Sequence, residues 1–478
     1  MKISFYIILL LIIELTCTHT KVENLFDDMY SGDIYSGYLE TSNPNHQLFY
    51  VFTPSQSQTP TTDPLILWLH GGPGCSALSG LLMEVGPVVT DKFSGFFHIN
   101  EYAWNKNANI IFIESPAGIG YSINTDASRS FDDETVGKEN FYAFKQFITN
   151  EFPQYANNDF YLTGASYSGV VLPYFIKEYY NQSELRLNLK GFFVGNALTS
   201  FESDCERAQV HFGYGHSIVG HETMKAFERN CPYLDFGYNT TLSMSSSSNE
   251  LDPKNVTHRC NEIRQTIKEE FDGVDLFGIY HQCVLQTASN NNNNSNKRVS
   301  QNERILNTRK QFNKANININ ADDENEEEIS ITPSYCEDDY FMPEFMNRES
   351  TKRKLNISSM DMSWWSCGDV GDYPMSESLP IYNNVLFPNN LRIWHFSGDA
   401  DGCVPTLGTQ YWINKLNMAI KTEWKAWHAR NQVAGFVQEY ENNFVFLTVK
   451  GAGHIATYDR REEMYIAWNA FLNGTLPS

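Results

Sequence analysis

Asp159 to Pro173 reads DFYLTGASYSGVVLP. Its aromatic and β-branched part, Phe160, Tyr161, Leu162 and Thr163, predicts a strand. The run stops at Gly164-Ala165-Ser166-Tyr167-Ser168-Gly169, and a helix-compatible segment, Val170 to Tyr180, follows at once. Strand, G-x-S-x-G and helix in succession put a serine on a sharp turn. Crowding at that turn demands glycine or a very small residue on its flanks. The hydroxyl is then held clear of the strand, and the first N–H groups of the helix face any developing negative charge. The pentapeptide alone describes equally well a tight turn with a surface serine, so the rest of the chain must decide.

Working outward, Pro64 to His70 (PLILWLH) and Asn109 to Glu114 (NIIFIE) are almost continuously apolar, as strands buried on both faces are. The first ends in Gly71-Gly72-Pro73-Gly74-Cys75, the second in Ser115-Pro116-Ala117-Gly118-Ile119-Gly120. A helix is expected from Asp132 to Phe152, with Phe141, Phe144 and Phe147 on one side, and a further strand from Gly191 to Leu198. Nearer the start, Tyr35–Leu39 and Leu48–Phe52 read as an antiparallel pair about the polar Thr41–Gln47 turn. Buried strands alternating with helices predict an α/β fold: a mainly parallel central sheet covered by helices on both faces.

After Thr199 the rhythm changes. Cysteines become frequent, and from Thr287 to Ile329 the chain is asparagine-rich, then basic (Lys297, Arg298, Arg309, Lys310), then acidic (Asp322 to Glu328). Such a segment buries too little apolar surface to order itself. Residues 200–345 are therefore expected to be an insertion, with 287–330 as a loop outside the compact fold. The α/β pattern returns with Leu391–Gly398, a helix from Thr406 to Leu416, strands around Trp424–Arg430 and Phe444–Val449, and a last helix from Asp459 to Phe471. The core is thus divided into 21–199 and 346–478.

A serine hydroxyl is a weak nucleophile and needs a base, which in turn needs an orienting acid. In α/β-hydrolases the order along the chain is Ser, Asp, His, each on a loop after a strand. Asp399 and Asp401 both follow the Leu391–Gly398 strand, and His454 follows the Phe444–Val449 strand. His395 and His428 lie within a strand and a hairpin and fit packing or surface positions. Ser166 as nucleophile, His454 as base and one of the two aspartates as orienting acid complete the set. Oxyanion donors are expected from the N–H of Tyr167 and from Gly71 or Gly72. This chemistry requires no cofactor and no metal.

The N-terminus adds a compartment. Lys2, the apolar Ile3–Ile13 and the small or polar Thr16–Thr20 form a secretory signal, too short to span a bilayer permanently, with cleavage between Glu14 and Lys21. We take 1–20 as the signal and expect no membrane span after its removal. Loss of Cys17 leaves eight cysteines, an even set that reads as disulfides in a secreted chain. Sequons begin at Asn181, Asn239, Asn255, Asn293, Asn356 and Asn473, all candidate glycosylation sites. The formal net charge of −22 over 478 residues excludes nucleic acid and anionic membrane as natural partners and suits an acidic compartment.

Trp68 to Ser76 (WLHGGPGCS) resembles the W-L-N-G-G-P-G-C-S block of the serine carboxypeptidase family, and Glu114 to Ser122 (ESPAGIGYS) resembles its E-S-P-A-G-V-G-[FY]-S. The elbow is similar to that family's G-E-S-Y-A-G, Gly398–Pro405 (GDADGCVP) to G-D-x-D-x-x-x-P, and Gly451–His454 to G-A-G-H. Asn100, Trp104-Asn105 and Gly195-Asn196 also fall where the family places such residues. The resemblance implies an α/β-hydrolase fold with an inserted, mostly helical lid, acting at acidic pH in lysosomes, vacuoles or secretions on peptides with a free C-terminus. It selects Asp401 over Asp399, and Gly72 with Tyr167 as oxyanion donors. It implies a disulfide between Cys75 and Cys336, leaving the other pairs open, Cys367 with Cys403 among them. It also makes the 287–330 loop a place for cleavage into two chains. Oligomeric state stays open.

The family binds the substrate's terminal carboxylate with the asparagine before G-G-P-G, a glutamate downstream of that block and the glutamate before the nucleophile. Here the candidates are His70, Gly71 and Glu84, while the last position is Ala165. Two expectations follow. Either His70, as an imidazolium, offsets the lost donors in a carboxypeptidase, or carboxylate binding is weak and the enzyme is an esterase or acyltransferase. A non-catalytic binding protein is a third reading, opposed by the complete Ser166, Asp401, His454 set.

Overall fold

The computed structural model describes residues 19–90, 96–127, 130–204, 206–231, 258–281, 341–371 and 373–478. In chain order the strands are β1 (Thr20–Lys21), β2 (Tyr35–Glu40), β3 (His46–Thr53), β4 (Leu65–Leu69), β5 (Val88–Thr90), β6 (Phe97–Ile99), β7 (Asn109–Ile113), β8 (Ile123–Asn124), β9 (Asp159–Ala165), β10 (Asn188–Gly195), β11 (Arg392–Gly398), β12 (Ile420–Ala429), β13 (Gln432–Tyr440) and β14 (Phe444–Val449). All except the β5–β6 pair join one sheet of order β1-β2-β3-β7-β4-β9-β10-β11-β14-β13-β12, with β8 beside β3. Its centre, from β7 to β14, is parallel. Both margins are antiparallel, so the sheet is mixed rather than uniformly parallel.

The apolar runs explain the layering. Successive side chains of a strand point to opposite faces. Leu65, Leu67, Leu69, Ile111 and Ile113 enter one core, together with Phe141, Phe144 and Phe147, the aromatic stripe of α1 (Asp133–Gln146) and of the short turn after it. Ile66, Trp68, Ile110 and Phe112 enter the other core with Trp104, Trp468 and Phe471. Burying each such side chain contributes about 1.5–3 kcal/mol, so a strand apolar on both faces is anchored from both sides. Asp132 caps α1 by accepting the Thr135 N–H at 2.7 Å.

Within residues 200–345, the expected insertion, the described helices are Phe201–Asp204, Glu206–Gly215, His221–Asn230, His258–Glu270 and the start of Phe341–Asn347. Met224, Phe227, Ile263, Ile267 and Phe271 form a separate small core there, and a Cys231–Cys260 disulfide ties two of its helices. The expected Cys75–Cys336 bond is not made: Cys75 is bonded to Cys367. Backbone pairing dictates this. Residues 366–368 run antiparallel beside 74–76, with Ser76 N–H donating to Ser366 O at 2.7 Å and Gly368 N–H to Gly74 O at 2.9 Å. The same bond removes the Cys367–Cys403 option. Cys205, Cys283 and Cys336, the sequons at Asn239, Asn255 and Asn293, the 287–330 loop and signal residues 1–18 lie outside the described residues. His19 and Thr20 belong to the folded chain: Thr20 pairs with Ser36, and His19 bonds Glu151 at 3.0 Å.

Candidate active site

The turn after β9 holds Ser166 at φ +60°, a left-handed conformation costly for a residue with a side chain. Backbone bonds fix it there. Ser166 N–H donates to Gly195 O at 2.9 Å, and Ser166 O accepts from Leu198 N–H at 3.1 Å. A Cβ at Gly164 would lie 2.2 Å from Leu69 O, and one at Gly169 would lie 2.5 Å from Leu198 O. Those approaches are the physical reason for the two glycines. Helix α2 (Ser168–Asn181) starts directly behind.

β9, β10, β11 and β14 are consecutive in the sheet, so the loops after them open on one rim. From that rim His454 Nδ1 reaches Asp401 Oδ2 at 2.8 Å, with both side chains buried. Asn196, following β10, donates from Nδ2 to the same Asp401 oxygen at 2.7 Å, while Asp401 Oδ1 accepts the Cys403 N–H at 2.8 Å. A carboxylate saturated this way is held in place against the imidazole. Asp399 turns away and accepts the Gly451 N–H instead, at 2.6 Å. Among the described contacts Ser166 Oγ makes no hydrogen bond to the His454 ring. Such bonds commonly shorten only as substrate binds.

The glycine loop lies against the elbow. A Cβ at Gly71 would stand 2.5 Å from Ser166 Cβ and 2.8 Å from Tyr167 N, so backbone alone fits there. Gly72 and Gly74 adopt φ +113° and +91°. Tyr167 is anchored through its hydroxyl to Asp133 Oδ2 at 3.2 Å, and Tyr373 bonds the other oxygen of Asp133 at 2.9 Å.

His70 and Glu84 converge: His70 Nε2 lies 3.8 Å from Glu84 Oε1, and Thr457 donates its hydroxyl to Glu84 Oε2. Burial pushes the Glu84 carboxyl up to about 7. Burial, together with the nearby His454, holds His70 down to about 4. Between those values His70 is a neutral ring, which replaces the expected imidazolium, and Glu84 carries a proton. His70 Nδ1 is buried without a partner among the described residues. Ala165 is buried at the end of β9 and supplies no second carboxyl.

Sequence reasoning missed Thr457 and Asp133, whose partners lie far away in the chain. It also missed the segment Leu276–Ile279, which carries no motif yet touches the loops of both Asp401 and His454. Phe277 O accepts the His454 N–H at 2.6 Å. Among the described residues no group of three or more His, Cys, Asp or Glu could hold a metal ion.

A central parallel sheet, an elbow serine and an Asp–His pair at one rim define an α/β-hydrolase. The family model described as serine carboxypeptidase matches residues 25–474, and the chain belongs to that family. It is similar to serine carboxypeptidase-like 33 of Arabidopsis thaliana, at 30% identity over 100% of this chain and 98% of the relative. Serine carboxypeptidase 24 of the same plant is 33% identical over 92% and 89%. Among solved structures it resembles the prohormone-processing carboxypeptidase Kex1 of Saccharomyces cerevisiae, with a TM-score of 0.69 and 18% identity over 95% of each chain.

Proposed function

We propose that the protein is a serine carboxypeptidase that releases C-terminal residues from peptides through an acyl-enzyme at acidic pH. Ser166 Oγ attacks the last peptide carbonyl as His454 takes its proton, and Asp401 fixes the tautomer. The N–H groups of Gly72 and Tyr167 receive the oxyanion. His454 then protonates the leaving amine, and water resolves the ester by the same route. The observation that carries the reading is the buried Glu84 carboxyl beside His70. Protonated below about 7, it offers an O–H donor to a terminal carboxylate rather than a repelling charge.

Incubation of the purified protein with a defined peptide at about pH 5, read by mass spectrometry, tests this. Stepwise loss from the C-terminus is expected, and Ser166→Ala abolishes it. Internal cleavage would overturn the reading. A second reading, acyltransferase or esterase, is favoured by Ala165 and His70. It predicts that an added alcohol or amine captures the acyl group in preference to water.

The apolar start, the Cys75–Cys367 and Cys231–Cys260 bonds and the exposed sequons at Asn181, Asn356 and Asn473 support passage through the secretory pathway to a lysosome, vacuole or the exterior. Signal cleavage before His19 would keep the edge strand β1, in which Thr20 pairs with Ser36, in the mature chain. No helix among the described residues is long and apolar enough to cross a membrane.

A further inference from the structure

Residues Asp275 to His281 belong to the insertion, yet they are laced to both loops of the site. Leu276 O accepts the Gly402 N–H at 2.8 Å, and Ile279 N–H donates to Ala400 O at 3.1 Å, gripping Asp401 from either side. Phe277 O takes the His454 N–H, and the Phe277 ring meets the His454 ring edge-on, with centroids 5.0 Å apart. The fit is close: a Cβ at Gly453 would stand 2.1 Å from Phe277 O.

His281 closes this strap. Its Nδ1 lies 3.0 Å from Asp275 Oδ2 and its Nε2 lies 3.1 Å from Asp459 Oδ1. The remaining oxygens are used as well: Asp275 Oδ1 accepts the Phe277 N–H at 2.9 Å, and Asp459 Oδ2 accepts the Gly453 N–H at 2.7 Å. The ring folds back over Gly278, where a Cβ would stand 2.2 Å from His281 Cε1. An ionised carboxylate can only accept. A ring that serves two of them donates from both nitrogens, which only the imidazolium does.

We propose that His281 is a positioning residue: seated as an imidazolium between Asp275 and Asp459, it locks the strap 275–281 across the loops of Asp401 and His454. Loss of its proton leaves two carboxylates facing one neutral ring and loosens the strap, so the lock closes on the acid side. Other charged or titratable groups also stand near the clamp. Glu84 and Arg461 neighbour Asp459, with Arg461 stacked on Tyr458. His216 packs near Tyr280 and, with Arg460 and Lys450, acts on Asp399. The geometry stands by itself; its catalytic consequence rests on the hydrolase reading above.

Amide hydrogen exchange of the full-length protein at about pH 5 and about pH 7.5, corrected for intrinsic rates, tests the lock at Gly402, Ile279 and His454. In the wild type these amides lose about tenfold in protection at the higher pH. His281→Gln leaves them weakly protected at both pH values. Gly278→Ala does the same, because it displaces the ring while keeping every charge. Equal wild-type protection at the two pH values would overturn the proposal, as would variants that keep the wild-type pH response. Fluorophosphonate labelling of Ser166, run in parallel, separates the two readings: no labelling defeats the hydrolase reading and leaves the exchange result intact.

Discussion

At the scale of single residues, one buried site gives two neighbours opposite proton affinities. Glu84 rises from 4.5 to about 7, and His70 falls from 6.5 to about 4. Below about 7 Glu84 donates an O–H to the terminal carboxylate; as pH rises through that value it ionises and repels it. KM for a free-acid peptide is therefore expected to climb through neutrality, and Glu84→Gln, which keeps a donor without a titration, is expected to flatten that climb. A KM profile unchanged in Glu84→Gln would contradict the assignment. His70→Asn should change the magnitude of KM but not the pH at which it turns, because the ring is neutral throughout that range. Asp401→Asn should lower kcat by roughly 10⁴, through loss of the correct His454 tautomer; steady-state kinetics on a chromogenic ester would read it. Ser166 and His454 could be picked out because each sits in a short motif at a strand end, whereas that placement left Asp399 and Asp401 open and only the family resemblance chose between them. Thr457 was not legible, because its partner Glu84 is remote in sequence and only packing joins them.

Among elements, strands buried on both faces were the most legible. LILWL and NIIFI admit no other layer of an α/β fold. β13 was lost because Gly435 and the polar Gln438-Glu439 interrupt its pattern. That glycine is required: a Cβ there would stand 1.8 Å from Thr448 O on β14. Gly435→Ala is accordingly expected to lower the thermal midpoint and to disturb the β13–β14 pairing that carries the strand before His454. The Cys75 partner was illegible for a different reason. A pairing between residues 292 positions apart depends on which loop lies antiparallel to the glycine turn, and nothing local encodes it. Cys367→Ser should destabilise the protein by about 2–5 kcal/mol, seen as a lower midpoint in urea. An unchanged midpoint would contradict a structural role for this bond.

For the molecule as a whole, buried ionisable groups set the pH of greatest stability. Glu84, Glu114 and Asp204 are pushed by burial to about 7, from 4.5, 4.5 and 3.8. The folded state keeps protons that the unfolded chain has released, so their contribution is complete at low pH and is lost as pH rises through about 7. Burial holds His70 and His395 down to about 4 and about 3. Their contribution is complete above 6.5 and is lost as pH falls toward those values. The two slopes largely offset each other between about 4.5 and 6.5, and above that the carboxyls act alone. The thermal midpoint should thus be highest in mild acid and several degrees lower at about pH 7.5. A midpoint that rises through neutrality would contradict this account. The net charge of −22 pointed the same way from composition alone, although which groups were buried could not be read there.

The most direct measurement is kcat/KM at about pH 5 for an N-blocked dipeptide, with its C-terminus either free or amidated. A site built around the protonated Glu84 predicts a large preference for the free acid, and that preference should shrink in Glu84→Ala. Equal turnover of the two substrates would contradict the carboxypeptidase assignment.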